Sequence, residues 1–110
     1  MAEKIRLVQG DTAPALTVTL TDTNTGAAIN ITGATVRLKF RAAGAETLQS
    51  TLTGSVTNGA AGQIVFYWSD DPQSLSGDPG DYEGEIEITF ADNTIQTVYD
   101  LLKFKLRQDF

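Results

Sequence analysis

The stretch Asp81-Tyr82-Glu83-Gly84-Glu85-Ile86-Glu87-Ile88-Thr89-Phe90 decides how the chain is read. Its odd positions after Asp81 (Glu83, Glu85, Glu87, Thr89) are polar, and its even positions (Tyr82, Gly84, Ile86, Ile88, Phe90) are apolar or small. Alternation sustained over this length predicts a β-strand with one wet face and one buried face. At helical spacing the same glutamates would scatter around the circumference.

Working outward, the same alternation recurs. Leu16, Val18 and Leu20 alternate with threonines, and Val36, Leu38 and Phe40 alternate with Thr35, Arg37, Lys39 and Arg41. Leu102, Phe104 and Leu106 alternate with Lys103, Lys105 and Arg107. Ile5 to Gln9 is a short strand, and Ile29 to Gly33 a short extended piece before a turn. Leu48, Leu52 and Val56 form a weaker hairpin or bent strand at an edge. Ile64, Phe66 and Trp68 form a strand whose other parity, Val65 and Tyr67, is also apolar, so it is either covered on both faces or part of an interface. Trp68 reads as core. Asp22 to Gly26, Asn58 to Gly62 and Ala91 to Asn93 have turn chemistry. The long break from Ser69 to Gly80 is expected to hold one helical turn near Pro72 to Leu75, capped by Asp70 or Asp71. Seven or so strands with no convincing helix predict a single all-β domain over residues 1–110, an immunoglobulin-like antiparallel β-sandwich.

The charges sharpen this topology. Lys4 and Arg6 mark the first strand; the other basic residues form two outward triplets, Arg37/Lys39/Arg41 and Lys103/Lys105/Arg107. The acidic triplet Glu83, Glu85 and Glu87 faces outward on the opening stretch. Opposite charges across a ladder stabilise it by roughly 0.2–1 kcal/mol per pair, and like charges destabilise it. All three triplets are satisfied only if the acidic strand lies between the two basic ones, the C-F-G order of an immunoglobulin-like sheet. The result is either a solvated face whose ion pairs fix register or a stripe that docks a partner. Asp78-Pro79-Gly80-Asp81-Tyr82-Glu83-Gly84 has the pattern of a tyrosine corner, which makes Asp78 and Tyr82 structural, with the Tyr82 hydroxyl bonding back to the chain upstream and Gly84 where a disulfide cysteine would stand.

Composition narrows the function. The chain has 110 residues, no cysteine and no histidine, with a net charge of −6. Disulfides and thiolate sites are excluded, and the commonest general base and zinc ligand is missing. Neither a serine-nucleophile elbow nor a phosphate loop occurs. The expectation is therefore no catalytic residues and no cofactor. A negative field disfavours nucleic acid and anionic membranes. No apolar run approaches the ~20 residues of a membrane span, and the first residues lack a signal-peptide core, so synthesis in a cytoplasm is expected. Asp70, Asp71, Asp78 and Asp81 crowd one loop and offer oxygen ligands of the kind Ca²⁺ takes, without EF-hand spacing; a solvated turn-rich loop is the plainer reading. Val65, Tyr67 and Tyr99 are interface candidates, since aromatic side chains anchor protein contacts and sugar platforms.

Four runs in order resemble the immunoglobulin-like N-terminal domain of phage baseplate upper proteins: Val8-Gln9-Gly10-Asp11-Thr12, Ile29 to Val36, Gly62 to Trp68, and Gly80-Asp81-Tyr82 with its glutamate-rich strand and Asp92-Asn93 turn. The resemblance implies a structural module of a tailed-phage virion, attached to other tail or baseplate proteins by protein–protein contact. The familiar domain begins a longer chain, whereas this sequence stops at Phe110. A free-standing adaptor, a tail accessory and a capsid decoration protein fit as well. A homo-oligomer on a symmetric assembly is expected, with the first and last strands as open ladders. A carbohydrate-binding module for host adhesion is the alternative.

Overall fold

A computed structural model describes residues 5–11, 15–22, 24–71, 74–98 and 101–108. Its strands are β1 (Ile5–Val8), β2 (Leu16–Thr19), β3 (Thr35–Ala42), β4 (Ser50–Thr53), β5 (Ser55–Asn58), β6 (Gln63–Phe66), β7 (Gly80–Thr89), β8 (Ile95–Thr97) and β9 (Leu102–Arg107), with a 3₁₀ turn at Trp68–Asp70. They form two sheets. One runs β1-β9-β7-β3-β4 with β8 added to β7, and the other runs β2-β6-β5. All pairings are antiparallel except β1 with β9.

Each strand contributes its apolar parity to a shared interior. Val36, Leu38 and Phe40 of β3, Ile86 and Ile88 of β7, and Phe104 and Leu106 of β9 are buried in one cluster with Leu16, Ile64 and Phe66 of the smaller sheet. The protein is thus an all-β sandwich closed by a hydrophobic core. Phe40 is the hub: its ring stacks on Tyr82 at 5.0 Å and meets Trp68 and Phe104 edge-on at 5.2 and 5.1 Å. Such aromatic pairs add to the gain from burial.

Several expectations need correction. The described residues form nine strands, against the seven or so expected, because two stretches divide. Leu48 to Val56 does bend, at Gly54, and does lie at sheet borders, but its halves do not share one sheet. Instead β4 pairs with β3, the chain crosses at Gly54, and β5 pairs with β6 in the other sheet. A Cβ at Gly54 would meet Ile64 and Phe66, so the corner has room only for glycine. The final stretch also divides. Val98 still donates to the Ile86 carbonyl, yet Leu102 registers with Gly84, so β8 and β9 pair with β7 two residues out of step with each other. Ile29 to Ile31 joins no strand and the expected turn falls at Thr32–Gly33, while just before it Thr21 and Ala28 make an isolated bridge. Strand β6 ends at Phe66, and Trp68 enters the core from the 3₁₀ turn. That turn precedes the expected site and has no side-chain cap, while Pro72 lies outside the described residues. Finally, β9 lies between β1 and β7, so the last strand is no open ladder.

Candidate functional site

The strand order puts β7 between β3 and β9, with the acidic ribbon flanked by the basic ones on the outer face of the larger sheet. Across β3–β7 the register sets Arg37 opposite Glu87, Lys39 opposite Glu85 and Arg41 opposite Glu83. Across β7–β9 it sets Glu83 opposite Lys103 and Asp81 opposite Lys105. Period-two alternation explains the facing: the core claims the even residues of β7, which leaves the glutamates outward.

Glu83 is the centre of the ribbon. Its Oε1 accepts Arg41 Nε at 2.8 Å and lies 2.7 Å from Nη2, and its Oε2 lies 3.4 Å from Lys103 Nζ. These cations cover it so fully that Glu83 is only 8 % exposed, although it points away from the core. The hydrogen bond from Arg41 holds its carboxyl below the usual glutamate range, aided by Lys103 and the Gly44 backbone and opposed by desolvation. A carboxyl held ionised in this way is a poor proton donor near neutral pH. Lys39 passes over Glu85, directly opposite, and pairs diagonally with Glu87 at 3.0 Å. Lys105 and Asp81, 3.7 Å apart at 57 and 47 % side-chain exposure, make a looser pair that contributes little. Arg6 on β1 registers with Lys105 and Arg107 ends β9, so described cations outnumber acids on this face of a chain that carries −6 overall.

A depression of about 70 Å³ opens in this face, lined by Lys39, Arg41, Leu48, Glu83, Glu85 and Leu101. Of the two leucines, Leu48 reads only on the weak parity it shares with Leu52 and Val56, and Leu101 on none. Leu48 comes from the connection before β4, and Leu101 directly precedes β9.

The tyrosine corner is present. Tyr82 is buried and its hydroxyl donates to the Asp78 carbonyl at 2.7 Å. Burial, then the Asp78 charge, push its phenol pKa up. The preceding loop is pinned at three further points. Ser74 Oγ donates to Ser50 Oγ at 2.8 Å inside the core, Gln9 Nε2 donates to the Gly77 carbonyl at 2.9 Å, and Gly10 N–H donates to the Leu75 carbonyl at 2.8 Å. The serine pair had no sequence signal, because hydroxyl partners far apart in the chain leave no pattern.

The interface candidates separate. Tyr67 is 44 % exposed, whereas Val65 is 8 % exposed and adds no open surface. Strand β6 is therefore covered on both faces. Tyr99 lies outside the described residues. The loop aspartates do not converge: among the described residues no three acidic, histidine or cysteine side chains are close enough to hold a metal. A wider hollow of about 400 Å³ beside the tyrosine corner includes only Asp78 and Asp81 from that set.

Fold and site together define an all-β sandwich with one wall of ion-paired ribbons. No protein-family model matches the chain, and no curated protein matches it. Among the described residues no helix is long and apolar enough to cross a membrane.

Proposed function

We propose that the chain is a non-catalytic structural and interaction protein of a phage virion, an adaptor module of the tail or baseplate that binds other virion proteins. The observation that carries the reading is the strand order β9-β7-β3 with the Tyr82–Asp78 corner. It agrees with the immunoglobulin-like fold implied by the four runs that resemble the baseplate domain. The charged wall supports an architectural role, because Glu83 and Glu87 are committed to cations of the same sheet.

Mass spectrometry of purified particles, from the phage whose genome encodes the chain, tests the proposal. Stoichiometric recovery with tail fractions is expected. Recovery with isolated capsids would favour decoration instead, and absence from particles would overturn the virion role. One observation favours the carbohydrate-binding alternative, the exposed ring of Tyr67. Glycan-array binding that is lost in Tyr67→Ala would select it.

A further inference from the structure

The two sheets share a flank unlike the rest of the surface. Strands β4 and β5, joined at Gly54, are each the border of a different sheet. From Thr47 to Ser69 the chain carries no charged side chain. Leu48, Val56 and Tyr67, large apolar residues left exposed, all fall within that stretch. Borders of native sheets are commonly blunted by lysine, proline or a bulge. Strand β5 has a bulge between Val56 and Asn58, whereas β4 has an unbroken register against β3 and none of these devices. Gly54 N–H donates to the Val36 carbonyl at 2.8 Å, so by alternation Thr51 and Thr53 turn their backbone N–H and C=O groups outward.

We propose that β4 pairs antiparallel with β4 of a second copy about a two-fold axis through Leu52, joining two larger sheets into one. Thr51 then lies opposite Thr53 of the second copy, a cross-strand match that supports a ladder. Identical borders meeting head-on bring each side chain close to residues of the same short segment, so a charge on β4 would face like charge. The uncharged stretch removes that repulsion. Border β1 lacks this property, since Arg6 stands beside Lys105 there. Border β2 is uncharged too, but the exposed Leu48 and Val56 lie in sequence on either side of β4, while the apolar residues of β2, Leu16 and Val18, are buried or half-buried. The basic ribbons on β3 of the two copies would sit three strand spacings apart, about 14 Å, beyond the roughly 8 Å screening length at physiological salt. Four residues make a short ladder, so the dimer is weak and gains strength where an assembly holds copies together. The inference stands on the border geometry and is independent of the virion reading.

Sedimentation equilibrium from micromolar to millimolar protein, with amide exchange followed by NMR, tests it. The expected result is a mass that climbs toward the dimer, with Thr51 and Thr53 amides exchanging more slowly as concentration rises. The variant T51E/T53E, whose glutamates face Lys39 and Arg37 within one copy but each other across the two-fold, should stay folded and monomeric, and T17K on β2 should still dimerise. A millimolar monomer whose Thr51 and Thr53 exchange is independent of concentration overturns the proposal. So does a dimer that survives T51E/T53E or is abolished by T17K.

Discussion

Arg41 reaches across from β3 and holds one carboxylate oxygen of Glu83 through two nitrogens, Nη2 at 2.7 Å and Nε at 2.8 Å. Lys103 approaches the other oxygen from β9. One side chain thus joins three neighbouring strands, and it is nearly covered by the groups it binds. Hydrogen bonds to charged groups contribute more than neutral ones, and solvent at the two cations reduces the gain. Glu83→Gln is expected to cost about 1–2 kcal/mol of stability, read as a lower urea midpoint with an unchanged slope.

The same carboxyl sets a pH dependence. Its folded pKa is lowered, by the Arg41 hydrogen bond first. Below the ordinary value of 4.5 the unfolded chain takes up a proton while the folded one resists. The stabilisation is therefore complete above that pH and drains away as pH falls through the folded value. Asp92, lowered by its Thr94 hydrogen bonds, adds in the same direction. Urea midpoints measured from neutral pH to pH 3 should fall less steeply in Glu83→Gln than in the wild type.

Tyr82→Phe keeps the ring that stacks on Phe40 and removes only the hydroxyl that donates to Asp78. The expected loss is about 1 kcal/mol, the net worth of one hydrogen bond. Thermal unfolding checks it, and retained near-ultraviolet circular dichroism would show that the aromatic cluster survives.

Gly54→Ala puts a methyl group where Ile64 Cγ1 would lie at 2.7 Å and Phe66 Cε1 at 2.8 Å. Overpacking of this kind costs about 1–3 kcal/mol. The damage should centre on the crossing between sheets, seen as faster amide exchange in β4 and β5 than in β7.

The ribbons were legible in the sequence because two local rules acted on the same residues. Alternation assigned Arg37, Glu85 and Lys105 to an outer face, and charge pairing then ordered the strands that carry them. The Tyr82 corner was legible because its partners lie within a few residues. The crossing at Gly54 was hidden, since Leu48 to Val56 shows only a weak parity and nothing local says that its halves belong to different sheets. Leu102 to Arg107 announced a strand, yet its place inside the sheet depends on β1, whose parallel pairing has no local signature. Val65 resembled an interface residue because sequence records that both parities of β6 are apolar, not what covers the second one.

Cross-strand nuclear Overhauser contacts in ¹⁵N,¹³C-labelled protein test the arrangement of the ribbons most directly. The fold predicts backbone contacts from Glu83 to both Arg41 and Lys103, and from Glu85 to Lys39. Contacts from the Glu83 strand to only one basic strand, or pairing of that strand with β2 or β6, would contradict it.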